Sequence, residues 1–347
     1  MRRLTAALAL SLLFLLTACA KAPALHQREA YVFGTRVEVS VWGESADKAQ
    51  QALSAVLAEF DRLHRLLHAW QPSELTALNA AIARGERAIA VSPELTFILQ
   101  GAAAIAAQSD QTFNPAIGQL VALWGFHADE FKPQLPDPAA VDALVKAAPR
   151  MSDLAVADNR VTSANRSVQL DLGGYAKGYA LDRAAAILRQ MGANNALINI
   201  GGNVMALGDK GGRPWRVGIQ HPRAAAPLAT LELRDGEAVG TSGDYQRYFE
   251  LEGRRYCHLL DPRSGRPAEG VQAVTVLITP RPGAGTLSDA ASKPLFIAGA
   301  GDWRGLAQRL GVEHALRIDG DGVMHVTAAF RQRLTMLAAD MKITDEP

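Results

Sequence analysis

Asp171–Asp182, DLGGYAKGYALD, is the stretch on which the reading of this chain turns. Ahead of it, Arg166–Leu172 (RSVQLDL) alternates polar and apolar residues and reads as a strand. Behind it, Ala180, Ala184, Ile187, Leu188 and Met191 recur at a helical period. The glycines Gly173 and Gly174 therefore fall at a strand-to-helix junction. Lacking a Cβ, they let backbone N–H groups approach an anion at a helix N-terminus, where the dipole favours negative charge. A phosphate is the expected guest. Lys177 sits in the first helical turn, where the macrodipole disfavours a cation unless an anion lies near it. Asp171 or a bound phosphate would supply that anion. Taken alone, the glycines also fit a plain turn that packs a helix on a sheet.

Upstream, the chain opens with a segment that does not belong to a fold. Arg2 and Arg3 precede an apolar run, Leu4–Leu16, and Leu16-Thr17-Ala18-Cys19 follows, the layout of an export signal. The run is about 13 residues against roughly 20 for a membrane span. A cysteine at this place resembles the lipobox of bacterial lipoproteins. Residues 1–18 then read as a signal peptide, Cys19 as the lipidated first residue, and 19–29 as a tether, with Lys21–Gln27 as its linker. An uncleaved anchor and an ordinary secretory signal are the other readings. The lipoprotein layout implies a cell-envelope protein facing the periplasm, held to the membrane by lipid alone. Cys257 is the one other cysteine, so no disulfide framework is available. A net charge of +1 leaves no electrostatic footprint for nucleic acid or for polybasic membrane binding.

Between leader and junction, Tyr31–Trp42 (YVFGTRVEVSVW) alternates as a first strand with Gly34 as a bulge. Apolar positions from Ala49 to Leu67 mark a long amphipathic helix capped by Ser45. It ends near Trp70, beside the polar turn at Ser73; a loop tryptophan is otherwise usually a core residue. Pro93–Ala107 is a further helix and leads into the turn-rich loop Ser109–Pro115. Lys132–Ala139 holds three prolines and marks an exposed boundary between subdomains. Asp137 or Pro138 then opens a short helix to Ala147. Downstream, Asn195–Asn203 reads as a strand broken at Gly201-Gly202, and Trp215–Gln220, Leu228–Leu233, Tyr248–Leu251 and Ala273–Ile278 read as further strands. Asp289–Ala298 reads as a helix and His314–Val326 as a final hairpin. Strands with turn signals among several helices predict an α+β sheet protein, not a doubly wound one.

Three loops hold the ionisable residues that composition does not explain: Asp171/Lys177, His258/Asp261/Arg263 and Ser288/Asp289/Ser292. Each has a plain structural reading. Asp289 at a helix start is an N-cap, His258 beside Leu259 and Leu260 is a satisfied structural histidine, and Asp261–Gly265 is a type I turn. Together they offer a phosphate cradle, a hard oxygen ligand for Mg²⁺ and an acid or base that titrates near neutrality. That is the minimum for metal-assisted attack on a phosphoanhydride.

Four ordered segments, Leu123–Phe126 (LWGF), Asp171–Asp182, Thr241–Tyr245 (TSGDY) and His258–Arg266 (HLLDPRSGR), resemble successive motifs of the ApbE-type FAD:protein FMN transferases. The resemblance runs from Phe33-Gly34-Thr35 to Phe296. It implies a mixed, largely antiparallel sheet core with packed helices, one compact domain of two lobes over residues 30–340. It also implies a reaction: with Mg²⁺ bound, a Thr or Ser hydroxyl of a partner attacks the FMN phosphorus of FAD and AMP leaves. The implied FAD contacts are Phe33, Trp70, Thr112, Phe113, Asn114, Asp171, Lys177 and Leu259. Gly174, through its carbonyl, and Asp289 match metal ligands, and His258 matches the general base.

Two positions depart from the pattern. Asn114 stands where the family usually has Asp. Lys293 stands where the family usually places a metal-ligating Thr, and an ammonium has no lone pair for a metal. Either the Lys293 charge replaces part of the metal's, or Ser292 supplies the oxygen. The Ser-Lys-Pro variant resembles the subgroup associated with nitrous oxide reduction (NosX-like), which implies a periplasmic or membrane-bound flavoprotein as acceptor. The same site would also serve an FAD pyrophosphatase that passes phosphorus to water, or a non-catalytic FAD-binding lipoprotein.

Overall fold

Nine strands form the central sheet, lying side by side in the order in which the chain supplies them. They are β1 (Leu25–Val32), β2 (Thr35–Trp42), β3 (Ala196–Ile200), β4 (Asn203–Leu207), β5 (Ala238–Gly243), β6 (Val271–Ile278), β7 (His314–Asp319), β8 (Met324–Thr327) and β9 (Ile343–Glu346). Every neighbouring pair is antiparallel except β8 and β9, which are parallel. The computed structural model describes residues 24–128, 130–339 and 341–346. The expected signal peptide and Cys19 lie outside the described residues.

β6 lies mid-sheet and is buried along its whole length. Its period-2 alternation sends Val274, Val276 and Ile278 to the core on one face and Ala273 and Leu277 to the core on the other. Helices cover the first face: α1 (Ala46–Leu67), α2 (Glu74–Arg84), α3 (Pro93–Gln108), α6 (Ala176–Gln190) and α7 (Ala284–Ile297). Ser45 caps α1 through its side chain, and Ala49, Ala52, Leu53, Val56, Phe60, Leu63 and Leu67 bury one face of it. Complete burial of a side chain such as Phe60 contributes roughly 1.5–3 kcal/mol. On the other face lies a small antiparallel sheet of Trp215–Gln220, Pro227–Leu233 and Leu334–Met336. A third apolar cluster joins α4 (Gly118–Leu123) and α5 (Pro138–Ala147) to the hairpin Tyr248–Cys257, where Trp124, Tyr256, Phe249 and Phe126 stack in series. The proline-rich connection Lys132–Ala139 leads into α5 of this lobe.

The α6–α7 crossing fixes the middle of the helical layer. A Cβ on Gly178 would lie 2.4 Å from the Gly285 carbonyl oxygen, and one on Gly285 would lie 2.7 Å from that of Gly178. Only glycine permits this backbone-to-backbone approach. Asp182 of α6 caps α7 from outside: its carboxylate accepts from the Gly285 and Thr286 N–H groups, each at 2.8 Å. α7 therefore begins five residues ahead of Asp289, which lies in the helix interior and not at its N-cap.

Three local readings change. Phe33 and Gly34 both have positive φ, 57° and 68°, and form the two-residue turn of a hairpin instead of a bulge within one strand. β1 starts at Leu25, so Leu25–Glu29, expected in the tether, are strand residues paired with Glu38–Trp42. Arg166–Leu172 is not a sheet strand, and its first two residues lie in a turn. It makes one isolated bridge, Ile117 to Gln169, and Asn79 brackets Leu170, donating to its carbonyl at 2.9 Å and accepting from its N–H at 2.7 Å. The alternation there records a buried side-chain pattern, while the backbone partners come from a loop and one amide side chain. Among the described residues no helix is long and apolar enough to cross a membrane.

Candidate active site

A cavity of about 740 Å³ opens between the main body and the Trp124 lobe, within the usual size range of small-molecule sites. Its rim and walls are turns: Phe33-Gly34 between β1 and β2, His68–Trp70 after α1, Thr112–Pro115 after α3, Gly201-Gly202 between β3 and β4, and His258–Leu260. Its floor is the start of α6 and one face of α7, with Gly173, Gly174, Lys177 and Lys293. All ten of Phe33, Trp70, Thr112, Phe113, Asn114, Asp171, Gly174, Lys177, His258 and Leu259 line it. Asp289 and Ser292 do not; both are fully buried beneath the floor.

Aromatic side chains give the walls their shape. Phe33 holds a left-handed backbone, a conformation costing a non-glycine residue about 1–2 kcal/mol, and packs edge-on against Phe60 and His64. Trp70 is half-buried with its ring 5.4 Å from His127. Asn114 uses its whole amide to hold its loop, donating to Pro149 O at 2.8 Å and accepting from Ala116 N at 3.1 Å. A carboxylate there would face the Pro149 carbonyl with no proton to share, which suits this chain to asparagine at this position.

At the start of α6 the carboxylates are the chain's own. Asp171 Oδ1 accepts from Gly173 N at 2.8 Å, and Asp289 Oδ2 accepts from Gly178 N at 2.9 Å. Within the chain the carboxylate nearest Lys177 is Asp289 and not Asp171: Lys177 Nζ donates to Gly173 O at 3.0 Å and stands 4.0 Å from Asp289 Oδ1. Asp289 Oδ1 also receives the Asn203 amide at 3.0 Å and pairs with the Lys293 ammonium. Burial pushes the Asp289 carboxyl up, but Lys177 and Lys293 outweigh it and hold the group below the usual carboxylate range. Burial in turn draws the Lys293 ammonium down to about 8, with Asp289 opposing.

His258 is half-buried and neutral. Burial and then the nearby Arg247 guanidinium push its imidazole down to about 3, with Lys177 and Lys293 adding to the effect. Its Nδ1 lies 3.1 Å from the Arg247 carbonyl, which only accepts, so Nδ1 carries the proton and Nε2 keeps the lone pair. Arg247 is fixed in turn by donating to Phe126 O at 2.8 Å. Arg247, Asn203 and Asp182 were not singled out from the sequence. Asn203 follows the second Gly-Gly pair, which is the one signal that marks it.

The donor set expected for a divalent cation does not fit one. Asp289 Oδ1 and Oδ2 both have protein donors, and Ser292 Oγ donates to Asp289 O at 2.8 Å and meets Ser242 Oγ at 2.8 Å. The Lys293 side chain fills the space between Gly174 and Asp289: its Cε lies 3.4 Å from where a Gly174 Cβ would project. A divalent ion on Asp289 about 4 Å from that ammonium would be repelled by about 8 kcal/mol at an effective dielectric of about 20. Among the described residues no group of three or more His, Cys, Asp or Glu side chains converges on a metal position.

An antiparallel-sheet α+β fold with a cationic cavity floor, aromatic walls and a neutral histidine at the rim defines a protein for an extended anionic ligand. The chain belongs to the ApbE family, whose model matches residues 33–316. It is 45% identical over 304 residues to the FAD:protein FMN transferase of Rhodobacter capsulatus, covering 88% of this chain and 57% of that protein. The chain thus spans just over half the length of that relative. It is 33% identical over 287 residues to the FAD:protein FMN transferase of Salmonella typhimurium, covering 78% of this chain and 81% of that one. The crystal structure of the ApbE protein from Thermotoga maritima superposes with a TM-score of 0.80 at 30% identity, over 89% of this chain and 99% of that one.

Proposed function

We propose that this protein transfers FMN from FAD to a Thr or Ser hydroxyl of a partner protein and releases AMP. The observation that carries the reading is the neutral His258, its Nδ1 proton committed to Arg247 O, on the same cavity as the ammoniums of Lys177 and Lys293. The names of the relatives, FAD:protein FMN transferases, point the same way. The acceptor hydroxyl oxygen bonds to the FMN phosphorus, its proton passes to His258 Nε2, and the bond to the bridging oxygen breaks with its electron pair leaving on AMP. The floor ammoniums offset the charge that develops on the phosphates in that step, where fixed charges act with little reorganisation. Phe33, Trp70 and Leu259 supply apolar surface for the nucleotide's rings, while Asp171 and Asn114 brace the loops around them. Lys293 packs between Gly174 and Asp289, and both Asp289 oxygens already have protein donors, which leaves the implied Mg²⁺ no open donor set there.

With Cys19 lipidated, the enzyme works on the periplasmic side of a membrane, on a periplasmic or membrane-bound flavoprotein. The test uses the purified full chain in detergent with FAD and candidate periplasmic flavoproteins. The expected result is a covalently fluorescent acceptor band with AMP formed in equal amount. His258→Ala lowers the rate by about 10²–10⁴ with FAD affinity little changed. Free FMN and AMP without an adduct would identify a pyrophosphatase instead; FAD binding without turnover would identify a carrier.

A further inference from the structure

Lys293 follows Asp289 by one helical turn, a spacing that puts both side chains on one face of α7. Its ammonium donates to Asp289 O at 2.8 Å and pairs with Asp289 Oδ1, and its side chain is almost wholly buried while the residue still lines the cavity. Lys177 approaches the same oxygen from α6. One carboxylate therefore faces two ammoniums, and this three-residue cluster carries one positive charge. Asp289 is held from three directions, by Gly178 N, the Asn203 amide and Lys293, so it serves as a fixed pedestal for that ammonium and not as a free ligand.

We propose that the Lys293 ammonium stands in this chain where the resemblance implies a divalent cation, so that the protein binds FAD and supports transfer without a metal. The ammonium would offer a bound pyrophosphate a tethered monocation: it carries less charge than a divalent ion but costs no ion-binding equilibrium. The transfer half of this inference rests on the function proposed above; the binding half does not.

The full chain in detergent is stripped with EDTA and titrated with Mn²⁺ by electron paramagnetic resonance in the presence of FAD, while FAD affinity is followed by flavin fluorescence. In the native chain Mn²⁺ stays free and FAD affinity is the same in EDTA and in millimolar Mg²⁺. Lys293→Thr binds one Mn²⁺, with affinity raised about 100-fold or more, and its FAD affinity drops about tenfold in EDTA and returns with Mg²⁺. Lys293→Met, which keeps the bulk without the charge, loses FAD affinity in EDTA and in Mg²⁺ alike; it stands in if the threonine variant does not fold. One Mn²⁺ bound tightly by the native chain, or native FAD affinity rising about tenfold with Mg²⁺, overturns the proposal. Neither readout needs an acceptor, so absence of transfer would sink the function and leave this result standing or falling by itself.

Discussion

Gly178→Ala tests the arrangement on which the cavity floor depends. The new methyl would lie 2.4 Å from Gly285 O, 2.7 Å from Asp289 Cβ and 2.8 Å from Thr286 Cα. Reaching even a tight carbon–oxygen contact of roughly 3.3 Å requires α6 and α7 to part by about 0.9 Å. Overpacking of this kind usually costs about 1–3 kcal/mol, and with helix backbone as the obstacle the upper end applies. Parting the helices also stretches the 2.9 Å bond from Gly178 N to the Asp289 carboxylate, worth about 1.5–3 kcal/mol. Alanine returns about 1 kcal/mol through helix propensity. The expected net loss is about 3.5–5 kcal/mol, a fall in Tm of roughly 7–10 °C at about 2 °C per kcal/mol for a chain of this size. Gly305→Ala is the control: it lies in α8 (Trp303–Arg309) with no neighbour closer than 3.7 Å to the added methyl, and gains up to about 1 kcal/mol. Thermal and denaturant melts of both variants, with FAD titrations, decide the matter. If Gly178→Ala melts with the native chain and binds FAD as well, the two helices are not in backbone contact and the pedestal for Lys293 is misassigned.

Because the unfolded chain protonates His258 near pH 6.5 while the folded chain keeps it neutral to about 3, acidification through that window favours unfolding; His258→Gln should lose less stability than the native chain between pH 7 and 4.5 in urea melts, and equal losses would count against the neutral histidine. Arg333 holds the buried Glu237 with both guanidinium ends, at 2.8 and 2.9 Å. Arg333→Ala should cost about 3–5 kcal/mol, and adding Glu237→Gln should recover part of it; a double variant no more stable than the single one would refute the pairing. Asn79→Ala strips both backbone partners from buried Leu170 and should cost about 2–4 kcal/mol while lowering FAD affinity through the adjacent Asp171. An Asn79→Ala melt within about 0.5 kcal/mol of the native chain would mean that Arg166–Leu172 has other support.

What the sequence disclosed follows from how local each device is. The period of α1 and its Ser45 cap are written in adjacent residues, as are the start of α6 and the loop bearing His258, and these were legible. The start of α7 was not, since its cap is Asp182, 103 residues away, and a Ser-Asp pair inside the helix imitates a local cap. Arg166–Leu172 carries a strand's alternation but gives its backbone to Asn79 and a loop, partners that no pattern in the segment announces. At Phe33-Gly34, φ > 0 at a phenylalanine is what turns one long strand into a hairpin, and side-chain type does not reveal it. The sequence does not reveal that Lys177 and Lys293 share Asp289, because which carboxylate meets which ammonium depends on how two helices cross.

β1 has a metric consequence. It starts at Leu25, and its far end is the Phe33 turn on the cavity rim. If Cys19 is the lipidated residue, the six residues from it to Leu25 span at most about 20 Å, and the eight residues of β1 add about 27 Å. The edge of the sheet then acts as a ruler that keeps the flavin pocket within about 50 Å of the bilayer surface. On that condition, an acceptor would have to bring its target within that radius.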